Sequence, residues 1–306
     1  LYVSSFNPVR VFQGSLGGGI TGKSFRTGLV VLQFTLSIGL ITAIITLYTQ
    51  VQYMKNRDVG FDREDVVYFY GFGDPIKKHY ESVKDELLRS AGITSVTASM
   101  SAPGGTRSPM DLRRPEQQPE EAFSCKENRV QPGYLRTYGI ELLQGKDFTA
   151  PHDQRDILIN QTAARKLGFE NPLGQEVILW KRRCRIIGVV KDYNFLSLHR
   201  QIEPLVLSHY YDLKYVISVR SATGIDQSVL DYAKDVFHRH DPEYTFRYQF
   251  VDQMYANLYG KEERLNTLIG VAAALGILLS VIGLYAFVSL MLKKRLQEMG
   301  IRKAFG

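Results

Sequence analysis

Residues 268–292 read LIGVAAALGILLSVIGLYAFVSLML and contain no charged side chain. A second apolar segment, residues 29–48, reads LVVLQFTLSIGLITAIITLY and is equally free of charge. An α-helix rises about 1.5 Å per residue, so about 20 apolar residues cross the roughly 30 Å hydrocarbon core of a bilayer. One such helix could be buried inside a soluble protein, but two segments of this length favour two transmembrane helices.

The basic residues beside these segments indicate how the chain crosses the membrane. Lysine and arginine accumulate on the cytoplasmic side of membrane proteins. They are more frequent after the second segment, at Lys293, Lys294, Arg295, Arg302 and Lys303, than before it, at Lys261 and Arg264. We therefore expect both ends of the chain in the cytoplasm and the residues between the two segments outside.

Small residues recur every four positions in the second segment, at Ala272, Gly276 and Ser280. A stripe of this kind allows another helix to approach closely within the membrane. The same spacing also arises by chance in segments rich in small residues. We predict helix packing on this stripe.

Two stretches between the apolar segments share a strand–helix–strand pattern. The first has strands at 66–70 and 93–99, around a helix with one apolar face made of Ile76, Tyr80, Val83, Leu87 and Ala91. The second has strands at 215–219 and 245–250, around a helix with an apolar face made of Ile225, Val229, Ala233 and Phe237. Two such units predict one α+β sheet with its helices on one face.

The chain between these units is predicted to hold an inserted α/β subdomain at about 155–200. Its expected elements are strands at 156–160, 176–180 and 185–190, and a helix at 161–167 that ends at Gly168. Residues 101–121 are rich in proline, glycine and charge, and are expected to form a mobile loop or a contact surface.

Charge and cysteine content limit the possible partners. The formal net charge is +7, which suits either nucleic acid or a membrane surface. The position of the basic residues beside the apolar segments favours the membrane, and no nucleic-acid partner is expected. Cys125 and Cys184 occur in contexts that indicate different subdomains, so two free thiols are expected, although pairing in an oxidising compartment stays open.

Several motifs typical of enzymes are incomplete. Residues 17–24 read GGGITGKS, which matches the phosphate-binding loop pattern. Too few residues precede the membrane to build the required α/β domain, so a flexible linker is the better interpretation. His238 and His240 are two residues apart on a predicted helix and do not share a face, so no metal site is expected. No nucleophile has a recognisable partner, and the sequence gives no positive case for an enzyme.

A set of motifs in a specific order resembles a known family of membrane proteins. GLYA at 283–286 and KRLQEMGIRKAFG at 294–306 resemble the FtsX-like permease domain. The middle of the chain resembles the MacB-type periplasmic core domain, through PGYL at 132–135, YGI at 138–140, LQGKDF at 143–148, INQTAA at 159–164, NPLG at 171–174 and IGVVKDYNF at 187–195. SFNPV at 5–9 and GLVVLQF at 28–34 look like the junction before the second half of Bacteroidetes-type permeases with duplicated halves.

The resemblance implies a permease subunit of an ABC transporter of the mechanotransmission type. In that family a separate cytoplasmic ATPase dimerises on ATP, and its motion passes through the membrane helices to the periplasmic domain during export, efflux or envelope processes. The implied fold is a membrane protein in which two transmembrane α-helices flank an α+β extracytoplasmic domain, with a porter-like subdomain and an inserted Sabre-like α/β subdomain. ATP would be bound by the partner, so neither catalysis nor a cofactor is expected in this chain.

The resemblance also implies partners, a location and a contact site. The expected partners are a cytoplasmic ABC ATPase, the other permease half or a second permease copy, and the lipid bilayer, with a periplasmic adaptor and an outer-membrane channel as optional partners. The expected location is the bacterial inner (cytoplasmic) membrane, as a multi-pass protein with its large domain in the periplasm. The expected ATPase contact consists of Glu298, Gly300, Ile301, Arg302 and Lys303.

The expected organisation follows from the segments and the resemblance together. It consists of a cytoplasmic linker at 1–28, a transmembrane helix at 29–49, a periplasmic MacB-like core domain at 50–262, a second transmembrane helix with a periplasmic extension at 263–292, and a truncated cytoplasmic segment at 293–306. Family members have two more membrane helices beyond this point, so we expect the chain to be a fragment of a longer permease.

Two other classes of protein fit parts of the pattern. A two-helix membrane sensor would also carry an extracytoplasmic ligand-binding domain between its helices, but it would continue into a signalling linker rather than further membrane spans. A membrane-anchored enzyme would show a metal, or a cleft with paired and strongly perturbed ionisable groups, in its outer domain.

Overall fold

The computed structural model describes residues 20–105, 109–149, 153–196, 201–209, 215–257 and 260–304. The chain forms two compact units. One unit, Met54–Gly260, is called the central domain below, and the other consists of the chain on both sides of it.

The helices are α1 (Ile20–Asn56), α2 (Asp74–Lys78), α3 (Tyr80–Leu87), α4 (Tyr134–Tyr138), α5 (Gln161–Leu167), α6 (Gln227–His240), α7 (Val251–Asn257) and α8 (Gly260–Ala304). The strands are β1 (Val66–Tyr70), β2 (Ile93–Ser99), β3 (Pro109–Arg113), β4 (Phe123–Arg129), β5 (Leu142–Gly145), β6 (Asp156–Asn160), β7 (Glu176–Leu179), β8 (Arg182–Val190), β9 (Leu205–Ser208), β10 (Val216–Ser221) and β11 (Tyr248–Phe250). A short 3-10 helix at Pro119–Glu121 lies between β3 and β4.

The two long helices α1 and α8 contain the apolar segments of the sequence. Val31–Gln50 and Thr267–Lys293 are long and apolar enough to cross a membrane. Only 6% and 12% of these segments are buried. A helix in the core of a soluble protein would have most of its apolar side chains covered, so the exposure of these two helices agrees with a lipid environment.

Helix α1 begins earlier than the sequence predicts. It starts at Ile20, so residues 20–28 are helical and the expectation of a flexible linker is wrong for them. The GKS portion of the phosphate-loop pattern, residues 22–24, lies inside this helix, while residues 1–19 are outside the described part of the chain. No proline interrupts residues 20–28, and a helix that is already formed over the apolar segment extends at little cost. Helix α8 likewise continues without a break to Ala304.

The two strand–helix–strand units form one antiparallel sheet of four strands in the order β11–β1–β10–β2. Helices α2, α3 and α6 cover one face of it. The buried core between them includes Val67, Phe69, Ile76, Tyr80, Val83, Leu87, Val96, Ile217, Val219, Val229, Ala233 and Phe237. The predicted first helix is divided into α2 and α3 at His79, and Ala91 is exposed because α3 ends at Leu87, four residues before it.

The second sheet has seven strands in the order β5–β8–β6–β9–β4–β3–β7. Strand β7 also pairs with β8, so the strands from β8 round to β7 close on themselves as a small barrel. The inserted part therefore begins at Pro109 and not near residue 155, and the predicted loop at 101–121 contains strand β3. The two strands β3 and β4 have few buried residues, such as Leu112 and Cys125, and many charged ones. The alternation of apolar and polar residues that identifies a strand is therefore weak in this part of the sequence.

Both cysteines lie in the interior of this barrel. Cys125 on β4 and Cys184 on β8 are free and buried, and they belong to one apolar cluster. The expectation that they occupy different subdomains is therefore wrong. Burial raises the pKa of the Cys125 thiol to about 12 and also raises the pKa of Cys184. Both thiols are thus protonated and poorly nucleophilic at neutral pH.

Strand β4 of the barrel carries a buried carboxylate. Glu127 lies two residues after Cys125 on β4, so its side chain points inward as that of Cys125 does, and it is 1% exposed. The Ser208 hydroxyl donates to Glu127 Oε1 at 2.7 Å. Arg182 and Arg129 form ion pairs with the carboxylate at 2.8 Å and 3.2 Å. The group is thus paired on both oxygens by residues from three strands.

Candidate functional site

The predicted packing stripe lies close to the contact between α1 and α8. Gly276 and Ser280 face α1, but Ala272 is exposed and Ala273 is buried in its place. A step of four residues overshoots a helical turn by about 40°, so a stripe with that step alone moves off the contact face. The observed contact alternates steps of three and four residues and also includes Gly283.

Polar and small groups line this contact. The hydroxyls of Ser37 and Ser280 lie 2.7 Å apart. Ser280 also bonds the Gly276 carbonyl oxygen at 2.9 Å. A Cβ added to Gly283 would lie 2.9 Å from Gln33 Oε1, so glycine makes room for the glutamine side chain. Interhelical hydrogen bonds and small residues of this kind hold helices together in lipid.

A disulfide between the two helices tests this contact. A chain carrying Ser37→Cys and Ser280→Cys is expected to cross-link on mild oxidation, because the two Oγ atoms are 2.7 Å apart and a disulfide needs adjacent Cβ atoms. Non-reducing electrophoresis after cleavage between the helices measures the cross-link. Ser37→Cys with Ala272→Cys is the matched control and should remain uncross-linked, since Ala272 is exposed. Equal cross-linking of both pairs would contradict the observed contact between α1 and α8.

The predicted ATPase contact lies in the last turns of α8. Glu298, Gly300, Ile301, Arg302 and Lys303 all have helical backbone, and Gly300 and Lys303 are exposed. The side chains of Glu298, Ile301 and Arg302 are outside the described part of the chain.

Inside the central domain, two short segments lie next to the long helices along the chain. The segment 59–61 follows the end of α1 at Asn56, and α7 ends at Asn257, just before α8 begins at Gly260. Both segments contact the loop at 191–196, which follows β8 of the barrel. The chain thus brings the two connections to the long helices onto one loop.

Four aromatic side chains fill the place where these three segments meet. They are Phe61, Tyr193, Phe195 and Tyr255, called the aromatic joint below, and each is at most 5% exposed. The ring of Phe61 packs edge-on to Tyr193 at 6.0 Å and to Tyr255 at 5.7 Å between ring centres. Tyr193 packs edge-on to Phe195 at 5.7 Å. Such pairs contribute about 0.5–1.5 kcal/mol each beyond the burial of their surface.

Hydrogen bonds connect the same three segments. Asn194 N donates to the carbonyl oxygen of Val59 at 2.7 Å. The Tyr255 hydroxyl donates toward the carbonyl oxygens of Leu196, at 3.2 Å, and Asn194, at 3.4 Å. The guanidinium carbon of Arg63 lies 5.2 Å from the centre of the Tyr255 ring, within cation–π range. The loop is therefore bonded to both segments as well as packed against them.

Gly60 has a conformation and an environment that exclude a side chain. Its φ is +81°, in the region that favours glycine. A Cβ at this position would lie 2.9 Å from Tyr193 Cβ and 3.1 Å from the Asp192 carbonyl oxygen. The absence of a side chain therefore permits the close approach between the segment after α1 and the loop.

The loop of the joint is fixed to the barrel by a carboxylate. Asp192 accepts hydrogen bonds from the backbone N and the hydroxyl of Thr162, at 2.9 Å and 2.8 Å, at the start of α5. Arg165 on the same helix pairs with Asp192 at 2.8 Å. Ala163 and Leu167 of α5 are part of the barrel core. A displacement of the loop would therefore pull on the barrel interior.

A second connection joins this region to the four-stranded sheet. Asp62, next to Phe61, donates its backbone N to the Tyr138 carbonyl oxygen at 2.7 Å and pairs with Arg220 of β10 at 2.6 Å. The Tyr138 hydroxyl lies 2.7 Å from that of Ser218, also on β10. The joint is therefore linked to both sheets of the central domain.

His238 and His240, which are two residues apart in the sequence, have separate partners. His238 Nε2 lies 3.1 Å from the Tyr244 carbonyl oxygen, whereas His240 Nε2 lies 3.2 Å from Glu86 Oε1. Among the residues that the structure describes, no group of three or more histidine, cysteine, aspartate or glutamate side chains is placed to hold a metal ion.

Comparison with known protein families identifies the central part of the chain. Residues 27–230 match the model of the MacB-like periplasmic core domain, which is more than half of the chain. The chain belongs to the MacB-like periplasmic core domain family. This match confirms the resemblance of the middle motifs, including the run IGVVKDYNF that supplies Tyr193 and Phe195 to the aromatic joint.

Curated relatives of this MacB-like protein include an export protein and an ABC transporter permease. The chain is 24% identical to the macrolide export ATP-binding/permease protein MacB of Aggregatibacter actinomycetemcomitans, over 94% of this chain and 46% of that protein. It is 25% identical to the uncharacterized ABC transporter permease YknZ of Bacillus subtilis, over 61% of this chain and 50% of that protein. The chain thus spans about half the length of these relatives.

Solved structures of MacB-like proteins also align with more than half of the chain. The periplasmic region of MacB from Actinobacillus actinomycetemcomitans aligns with 67% of this chain and 97% of its own length, at 19% identity and a TM-score of 0.47. The extracellular domain of YknZ, a noncanonic ABC-type transporter from Gram-positive bacteria, aligns with 60% of this chain at 19% identity and a TM-score of 0.43.

Sequence reasoning did not identify the joint as a site. Tyr193 and Phe195 lie in a run that supports only the family resemblance, and Phe61 and Tyr255 receive no role. The sequence signal that could have identified the joint is an aromatic residue a few positions from the central-domain end of each long helix, Phe61 after α1 and Tyr255 before α8.

Proposed function

We propose that the chain is a permease component of an ABC transporter of the mechanotransmission type. In this role it spans the bacterial inner membrane as part of a multi-pass protein and carries its central domain in the periplasm. Membership of the MacB-like family supports the proposal. So do the printed names of the relatives, which include a macrolide export protein, an ABC transporter permease and a probable syringafactin export protein.

The aromatic joint is the observation that carries the mechanical part of the proposal. The segment after α1 and helix α7 before α8 both pack on the loop at 191–196. That loop is held on the barrel by Asp192. A movement of either membrane helix would therefore reach the barrel through a small, buried and fully packed set of side chains, without requiring a ligand in this chain.

The two sheets supply the subdomains of the proposed permease. We assign the four-stranded sheet and its helices to the porter-like part and the barrel to the Sabre-like part. The chain enters and leaves the porter-like part through β1 and β11, which are neighbours in the sheet. The barrel is inserted between β2 and β10, as expected for a subdomain added to a complete sheet.

The energy source in this proposal is a separate cytoplasmic ABC ATPase. The last turns of α8 are assigned as its contact, with Glu298, Gly300, Ile301, Arg302 and Lys303 as the contacting residues. A second permease half or copy completes the transporter, and a periplasmic adaptor with an outer-membrane channel would extend it across the envelope. This chain then performs no catalysis and binds no cofactor.

Association with the ATPase tests the proposal. Deleting residues 297–306, or replacing Arg302 with glutamate, is expected to abolish co-purification with the cognate ATPase, because the contact loses its basic end while the central domain is untouched. The matched control is Arg155→Glu, a charge reversal at an exposed arginine of the central domain. Unchanged association of the deletion, with both chains folded by circular dichroism, would contradict the contact.

The two-helix sensor is the alternative to this proposal. The family match and the printed names of the relatives, which include an ABC transporter permease and export proteins, favour the permease over the sensor.

A further inference from the structure

An open groove lies on the outer surface of the barrel, away from the aromatic joint. It has a volume of about 440 Å³, within the range of small-molecule sites. It runs between β3 and the hairpin of β7 and β8. Its lining includes Asp111, Arg113, Ile178, Trp180, Lys181 and Arg183.

Trp180 is the one tryptophan in the sequence, and it has an unfavourable backbone conformation. It occupies the two-residue turn between β7 and β8 with φ of 56°. Hairpin turns place glycine, asparagine or aspartate at such positions, because a bulky side chain is strained there. The backbone N of Trp180 donates to the Asp111 carbonyl oxygen at 2.6 Å, which holds this conformation.

Trp180 is exposed, so its strained backbone conformation does not place the indole in the core. The residue is 60% exposed, although Lys181 Nζ lies 5.4 Å from the ring centre. An exposed indole in a strained turn stabilises the fold less than a glycine would. Strained residues of this kind are concentrated where proteins bind ligands.

The groove carries charges of both signs, and cations predominate on its lining. Arg113, Lys181 and Arg183 contribute positive charge, and Asp111 contributes negative charge. Arg183 is also paired with Glu176 at 3.3 Å, and Glu120 and Glu121 follow the lining residue Pro119 in sequence. A polyanion such as an acidic peptide would meet these carboxylates as well as the cations. The groove therefore favours a neutral ligand.

The same groups offer both kinds of hydrogen bond. The Asp111 carboxylate only accepts, whereas the guanidinium groups only donate. The guanidinium of Arg113 is positioned by its bonds to the backbone carbonyl oxygens of Arg114 and Gln117. A hydroxyl group donates and accepts at once, so a molecule rich in hydroxyls can use every polar group in this groove.

We propose that this groove binds a neutral oligosaccharide, with the apolar face of one pyranose ring stacked on Trp180. Sugar hydroxyls donate to Asp111 and accept from Arg113 and Arg183. The site goes beyond the proposed transport role and does not depend on it. The flat ring of Trp180 provides apolar contact, and the open ends of the groove allow the glycan chain to continue into solvent.

Because Trp180 is the one tryptophan, its fluorescence reports directly on this groove. The full chain in phosphatidylcholine vesicles, free of glycoside detergent and of any other protein, is titrated with cellotetraose, maltotetraose and tetra-N-acetylchitotetraose. At least one is expected to give a saturable change, with a Kd of about 1 mM or below for such an open site. Asp111→Asn is expected to weaken that binding about tenfold, whereas Arg239→Gln, at an exposed arginine of α6 on the four-stranded sheet, leaves it unchanged.

Trp180→Gly separates binding from folding. Glycine adopts φ of 56° without strain, so this variant is expected to unfold at the same or a higher temperature than the wild type while calorimetry detects no oligosaccharide binding. The proposal is overturned if no oligosaccharide gives a saturable change up to about 10 mM, or if Asp111→Asn binds as the wild type does. It is also overturned if hexaglutamate or phosphatidylglycerol vesicles produce the saturable change in place of the sugars.

Discussion

Replacing Tyr255 with alanine is expected to lower the free energy of unfolding of the central domain by about 3–5 kcal/mol. The ring is fully buried and packs edge-on to Phe61. Its removal leaves a cavity where the segment after α1, helix α7 and the loop at 191–196 meet. A whole domain is stabilised by only about 5–15 kcal/mol, so the loss is a large fraction of the total. A urea titration followed by circular dichroism measures it.

Two control variants separate the contribution of the Tyr255 ring from that of its hydroxyl and from the general cost of truncating a tyrosine. Tyr255→Phe keeps the ring and loses the long hydroxyl contacts at 3.2 Å and 3.4 Å, so its cost is expected to be about 1 kcal/mol or less. Tyr215→Ala makes the same truncation at a half-exposed tyrosine of the same domain. If Tyr255→Ala proved no more costly than Tyr215→Ala, the aromatic joint would not be a packed structural unit.

Replacing Glu127 with alanine is expected to destabilise the barrel by about 3 kcal/mol, because removing one partner of a buried ion pair leaves the opposite charges uncompensated. Arg182 and Arg129 would lose this carboxylate, and the buried Ser208 hydroxyl would lose its acceptor. The value is set at the lower end of the usual range because the side chains of Arg129 and Arg182 are 21% and 33% exposed and can reach water. Thermal and urea unfolding measure the change.

Glu176→Ala provides the matched control for Glu127. Its carboxylate pairs with Arg183 at 3.3 Å, and both side chains are more than half exposed. Exposed pairs contribute about 0–1 kcal/mol, so this variant is expected to be nearly neutral. Equal effects of the two substitutions would show that the carboxylate inside the barrel is not a structural requirement.

Local signals explain why some elements could be predicted to the residue. Strand β6 and helix α5 have the predicted bounds, because Asn160 caps the helix by accepting a hydrogen bond from Ala163 N and Gly168 ends it with φ of +67°. Strands β1 and β2 also have the predicted bounds. In each case the apolar pattern and the residues that begin or end the element agree.

Features that depend on distant contacts were less predictable. The sequence predicts a start of the inserted subdomain that is too late in the chain, because closure of the barrel depends on the pairing of β3 with β4 and β7 and not on local pattern. The sequence stripe predicts Ala272 on the helix contact, which is wrong. Residues four apart do not stay on one face of a straight helix, because each step of four exceeds a full turn. The aromatic joint combines residues nearly 200 positions apart, and no single stretch of sequence records their meeting.

Hydrogen exchange of the full permease with its cognate ATPase tests the central claim, that movement passes from the membrane helices through the aromatic joint to the barrel. The measured quantity is amide hydrogen exchange in β8, β9 and the loop at 191–196. It is compared between the nucleotide-free state and the state with ATP and vanadate. The comparison is made for the wild type, Tyr255→Phe and Tyr255→Ala. We expect a nucleotide-dependent change in the barrel of the wild type and of Tyr255→Phe, and its loss in Tyr255→Ala while the ATPase remains bound. A barrel that does not respond to nucleotide in the wild type, or that responds equally in Tyr255→Ala, would contradict the claim.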